Sequence, residues 1–181
     1  MKIRTAVEED ATAIATLILT TAASQLQDEF TAAGWLLFKN LLAEETQREL
    51  IGSKRYRYWV ALADSNYKYQ DRIVGVLSVK ENSHLFHLFV SPDWQGRGVG
   101  KKLWDYFLNT LEFDIGSSIL QKSIYEITVN ASTFAIPFYI KLGFIISQPT
   151  QIKKGVTHTP MIISLAKNNN NQWSCSSSPC T

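Results

Sequence analysis

At 181 residues the chain has room for one domain, or one domain with a tail, and 45% apolar with 12% aromatic residues suffice to fill its core. Eighteen basic residues against sixteen acidic ones leave a net charge of +2, which excludes a global basic field for nucleic acid and the acidic excess of a disordered chain. Partners must therefore be sought in local sites.

Residues 2–7 read as a short strand. The uncharged stretch 11–27 follows Lys2 and Arg4 as a signal peptide would, but Glu8, Glu9 and Asp10 stand between them, and its threonines make it too polar for a membrane span. Residues 8–24 read instead as a helix, with three acids at the positive end of the dipole and Ile14, Leu17 and Ile18 at helical spacing. A second helical region with a break covers 28–52, carries Phe30, Trp35 and Phe38, and ends at Gly52. Three strands follow at 56–63, 72–80 and 84–90, joined by polar connections at 64–71 and 81–83 short enough for hairpins. Pro92 stops the third.

A helix over 99–113 stacks Val99, Leu103, Phe107 and Leu111 at four-residue intervals. After 116–122 come a strand at 123–129, Asn130, and a helix with Pro137 near its start and Gly143 at its end. Strands at 144–147 and 158–167 complete the set. The order implies an α/β (α+β) architecture over residues 1–167, a mixed sheet of about seven strands with helices on both faces. The polar, low-complexity residues 168–181 predict a disordered tail. Both cysteines, Cys175 and Cys180, lie there, so no disulfide framework or metal site is expected, and the expected compartment is cytoplasmic.

The most informative segment is Gln95-Gly96-Arg97-Gly98-Val99-Gly100-Lys101, which follows a strand and opens a helix. Glycines at alternate positions let backbone amides approach a ligand, and with the helix N-terminus they form an anion site suited to phosphate oxygens. Arg97, Lys101 and Lys102 add positive charge. A Walker A loop fails because no Ser or Thr follows Lys101, and a dinucleotide fingerprint fails on its G-x-G-x-G spacing. A glycine-rich turn without a ligand is the remaining alternative.

The stretch HLFVSPDWQGRGVGKKL resembles the acetyl-CoA signature of the GNAT superfamily of N-acetyltransferases, Q/R-x-x-G-x-G/A after a strand ending in Val-x-Pro, with Gln95, Gly98 and Gly100 filling the pattern. Asn130 and the run Phe138-Tyr139-Ile140-Lys141-Leu142-Gly143-Phe144 are similar to the family's second signature. The resemblance implies that the strand at 84–90 splays from that at 123–129, that pantetheine bonds to the backbone of Leu88, Phe89 and Val90, and that pyrophosphate sits on the amides of residues 95–100. Asn130 and Phe138 join that cofactor set. It further implies an acetyl-CoA co-substrate and a small-molecule or peptide amine acceptor. No nucleic-acid or membrane partner is expected, and the oligomeric state, a homodimer included, stays open.

In the reaction so implied, Val90 N–H is the oxyanion donor and Tyr139 the acid that protonates the leaving thiolate; packing against the cofactor is the other role open to Tyr139. His84 occupies a position from which some members project a base, on a strand face shared with Phe86, Leu88 and Val90, while His87 points away. Either His84 takes the amine's proton or ordered water carries it off. Phe30, Trp35 and Phe38 could wall the acceptor's entrance, with Asp28 or Glu29 holding a cationic amine. The reading from another class is a non-catalytic acetyl-CoA-binding sensor or interaction module.

Overall fold

Runs of alternating or continuous apolar residues become strands, and their order along one sheet decides where a site can open. A computed structural model describes residues 1–63, 72–114, 125–167 and 173–175. Strand β1 (Lys2–Thr5) leads through a 3₁₀ turn into α1 (Ala11–Gln25), and α2 (Ala32–Leu41) and α3 (Glu44–Gly52) follow. The meander is β2 (Tyr56–Leu62), β3 (Ile73–Lys80) and β4 (His84–Val90). Then come α4 (Val99–Asp114), β5 (Tyr125–Ala131), α5 (Ile136–Leu142), β6 (Ile145–Ile146), β7 (Gln151–Lys153), β8 (Val156–Lys167) and β9 (Trp173–Cys175). The sheet runs β1-β2-β3-β4-β5-β8-β6, with β7 and β9 also on β8. Among the described residues, only the pairing of β4 with β5 is parallel.

Helices cover both faces, as the element order implies. The four-residue spacing of Val99, Leu103, Phe107 and Leu111 puts all four in one core, against Trp59, Leu85, Ile127 and Met161. On the other face Ile14, Leu17 and Ile18 of α1 pack on Tyr58, Val60 and Val76. Each such burial contributes about 1.5–3 kcal/mol before the entropy of ordering is deducted.

Several boundaries differ from the sequence reading. The first helix begins at Ala11, because Asp10 closes the preceding turn: its carboxylate accepts from Val7 N at 2.9 Å and pairs with Arg4 at 2.6 and 2.9 Å. Arg4's hydrogen bond, above all, holds that carboxyl below its usual range despite burial. The 28–52 region resolves into α2 and α3, with Thr31 capping α2 by accepting from Gly34 N at 3.0 Å. The strand read at 123–129 is β5, and that read at 144–147 shrinks to the two residues of β6. Among the described residues, two strands are present beyond the roughly seven expected. Strand β7 arises because Lys154 (φ 52°) and Gly155 (φ 75°) make a tight two-residue turn back into β8.

Strand β9 corrects the tail. Trp173–Cys175 pair with Leu165 to Lys167, since the edge of β8 offers backbone hydrogen bonds that require no apolar periodicity. The remainder of 168–181 lies outside the described residues, as do the connections read at 64–71 and 116–122 and residues 123 and 124 of the strand read there. Among the described residues no helix is long and apolar enough to cross a membrane, and no cluster of His, Cys, Asp and Glu could hold a metal.

Candidate active site

Strands β4 and β5 pair only at His84↔Thr128 and Leu85↔Val129; beyond that point they separate. The other edge of β4 stays bonded to β3 as far as Val90. Ser91 N donates to Val74 of β3, so alternation along the strand directs Phe89 towards β3 and turns Leu88 and Val90 towards the gap. Phe89 therefore has no backbone group for a ligand in the gap, and its ring packs in the α1 core. Of the three strand residues expected at the cofactor, Leu88 and Val90 turn their backbone groups to the gap and Phe89 does not.

At the wide end of the gap lies the glycine loop. No residue among those described accepts a hydrogen bond from the amides of Gly96, Arg97, Gly98, Val99, Gly100 or Lys101. Six consecutive free amides at the start of a sixteen-residue helix form an anion cradle. Gly96 (φ 71°) and Gly98 (φ 77°) adopt the left-handed conformation that glycine tolerates best. Gly100 does something else: a Cβ there would stand 3.2 Å from the Phe138 ring.

Gln95, expected among the cofactor contacts, is engaged by the fold. Its Nε2 donates to Val90 O at 3.0 Å, its amide pairs with Gln25 of α1 at 2.9 and 3.1 Å, and its backbone N donates to Pro92 O at 3.2 Å. It ties the end of β4 to α1 and holds the loop in place. Among the charges, Arg97 lies over the Trp94 ring at 5.2 Å, and Lys101 pairs with Asp105 at 2.6 Å along the helix surface. The Val99 side chain is buried in the core, so only its backbone faces the loop.

Tyr139 is 5% exposed, with Phe138 and Phe144 at 5.5 and 5.3 Å between ring centroids. Burial raises its phenol well above the usual range, so it stays protonated at neutral pH. It belongs to the cluster against which Leu88 and Val90 pack, beside the gap.

His84 stands where β4 and β5 part, but on a different face from the one alternation predicts. The register jumps from Ser78↔His87 to Val79↔Leu85, which makes Phe86 the extra residue of a β-bulge. The bulge inverts the phase: His84 shares the face of Tyr56, Phe86 and His87, while Leu85 joins Leu88 and Val90 on the other. His84 Nδ1 lies 2.8 Å from Thr128 Oγ1, and desolvation, then the charge of Lys80, lower its pKa. His87, expected on the face opposite His84, instead shares it; it is fully buried and lowered to about 3 by desolvation, so it remains neutral.

His84 also lines a cavity of about 310 Å³, with Thr128 and Asn130 of β5, Gln151 and Lys153 of β7, and His158 of β8. Thr128 and Asn130 alternate with the buried Ile127 and Val129, so they face away from α4. Asn130, expected at the cofactor, thus has its side chain in this cavity. Alternation over Thr128-Val129-Asn130 was a usable signal. Lys153 and His158 could be brought there only by the register of the β7–β8 hairpin.

The segment expected to wall the acceptor's entrance does not line this cavity. Phe30, Trp35 and Phe38 pack on one another at 5.0 to 5.7 Å. Both carboxylate oxygens of Glu29 accept from Thr133 N, at 3.0 and 3.1 Å, so Glu29 anchors the turn before α5 instead of holding an amine. No contact fixes a role for Asp28.

Comparison with known proteins follows the same lines. A family model described as an acetyltransferase (GNAT) domain matches residues 26–165. Over 79 residues, 41% of this chain, the sequence is 32% identical to the histone acetyltransferase TAP1 of Glycine max. That match takes in 31% of TAP1, so the chain spans less than a third of this curated relative. A GCN5-related N-acetyltransferase from Rhodopseudomonas palustris is 25% identical with a TM-score of 0.65, over 89% of this chain and 93% of that one. The PaiA N-acetyltransferase of Thermoplasma acidophilum, solved with coenzyme A, is 16% identical with a TM-score of 0.68, over 89% and 96% of the two chains.

Proposed function

The chain belongs to the GNAT acetyltransferase family, and from that premise we propose that it transfers the acetyl group of acetyl-CoA to a primary amine by direct attack in a ternary complex. The observation that carries this reading is the pairing of an open β4 edge with six unpartnered amides at the start of α4. A phosphate-rich carrier with an amide-bearing arm matches both parts, the pyrophosphate on the amides and the arm along Leu88 and Val90.

Acetyl-CoA supplies a thioester as acetyl donor. Val90 N–H, directed into the gap, stabilises charge on the thioester oxygen. The amine nitrogen bonds to the carbonyl carbon as the carbon–sulfur bond breaks, and Tyr139 gives its proton to the leaving sulfur. The amine's proton passes to ordered water, and only through that water to His84 where His84 is the base, because His84 and Val90 lie six residues apart on β4. The lowered pKa of His84 keeps it neutral near pH 7, as a base requires. The Thr128 hydroxyl lies 3.4 Å from Ser83 O; by donating there it accepts Nδ1–H and leaves Nε2 of His84 free for the proton.

Tyr139→Phe tests the assignment of the acid. The ring and its packing remain, so melting temperature and acetyl-CoA affinity should hold while turnover falls by about 10²-fold, the low end for general acid catalysis. The measurement is amine-dependent CoA release followed with a thiol reagent. Wild-type turnover in the variant would reduce Tyr139 to a packing residue.

A further inference from the structure

The cavity beside His84 has an unusual charge balance for a site that takes an amine. Lys153 is the single residue of fixed charge among the described residues lining it, and no Asp or Glu lines it at all. Around Lys153 stand neutral hydrogen-bonding groups, Thr128, Asn130, Gln148 and Gln151 among them. A polycationic acceptor, such as a lysine-rich segment or a polyamine, would find no carboxylate there and would be repelled by the ammonium. An acceptor with an anionic group would find a partner.

The backbone that carries Lys153 is also held in place. Its hairpin turns through Lys154 and Gly155, and Gly155 O accepts from Thr31 N at 2.8 Å. Gly34 of α2 approaches Gly155 so closely that a Cβ would stand 2.2 Å from the Gly155 oxygen. The registers place Thr128 opposite Ile162 and Lys153 opposite Val156, six residues of β8 apart. At roughly 3.3 Å per residue that is about 20 Å of strand between Lys153 and the His84–Thr128 pair. Val90, whose amide faces the thioester, lies on β4, which pairs with neither β7 nor β8, so an anion on Lys153 is several bonds from the reacting nitrogen as well.

We propose that the acceptor is an amine carrying a carboxylate several bonds away, a short peptide or an ω-amino acid, and that Lys153 is the specificity-determining residue receiving that carboxylate. The inference rests on the acetyl transfer proposed above.

The test compares triglycine and 6-aminohexanoate with their carboxamides, and all four with spermidine, by CoA release from acetyl-CoA. The carboxylates should exceed their amides at least tenfold in kcat/KM. Lys153→Met should erase that preference by raising KM, with kcat little changed, and Lys153→Arg should restore most of it. Amides or spermidine used as well as the acids, or a preference indifferent to Lys153→Met, would overturn the assignment and leave acetyl transfer intact. Acetyl-CoA binding seen by calorimetry with none of these amines acetylated would also overturn it. Failure of acetyl-CoA to bind would instead overturn the proposed function.

Discussion

On one side of the β4–β5 gap the surface proposed for the acetyl donor is backbone, six consecutive amides of one loop, whereas the cavity on the other side is walled by side chains from β4, β5, β7 and β8. The first surface is set by a short run of sequence with glycines at fixed places. The second depends on registers between segments that lie up to 74 residues apart, from His84 to His158. A backbone site tolerates change in most side chains but not a change in loop conformation or charge. A side-chain site fails when the scaffold holding its strands moves.

The comparison breaks most sharply at Gly98. Gly98→Glu puts an L residue at φ 77° and a carboxylate beside the anion cradle, although its Cβ would meet no atom within 4 Å. Acetyl-CoA affinity, measured by calorimetry, should fall by about 10²-fold or more, roughly 2.8 kcal/mol, with the fold retained. Unchanged affinity would remove the loop from the site.

The opposite side should break at Gly34. Alanine is normally the better helix former, but here its methyl would press on the Gly155 carbonyl at 2.2 Å. Gly34→Ala should cost about 1–3 kcal/mol of stability in chemical denaturation and loosen the β7–β8 hairpin. Affinity for acetyl-CoA should stay near wild type, because the amides of α4 do not depend on that hairpin. Equal damage to both functions would show that the two sides are not separable.

This contrast explains what the sequence made legible. Val99, Leu103, Phe107 and Leu111, and the glycines around Val99, announced α4 and the loop that opens it through spacing alone. The face of His84 was misread because the bulge at Phe86 leaves no mark in a run of seven apolar, aromatic and histidine residues. Gln95 fits a ligand pattern, yet its amide pairs with Gln25, far back in the chain, which a local reading does not see. Glu29 looked like a free loop acid until Thr133, more than a hundred residues on, came to it. Lys153 carried no signal before the hairpin placed it.

A smaller effect sharpens the comparison at the boundary between the two sides. If His84 takes the proton, turnover should decline on the acid side as it protonates, and its lowered pKa places that limb below the ordinary value of about 6.5. His84→Ala should remove the limb and reduce turnover at neutral pH by less than about 10²-fold, since ordered water substitutes in part. A pH profile identical to wild type would assign proton removal to water alone.

The central claim is that main-chain amides hold the acetyl donor, and amide resonances report on it directly. A ¹H–¹⁵N spectrum of the labelled protein, titrated with acetyl-CoA, should shift most at Gly96 to Lys101 and at Leu88 and Val90. Phe89, whose backbone turns towards β3, should move less than either neighbour. Large shifts confined to residues outside the loop and β4, with Gly96 to Lys101 unmoved, would contradict the account.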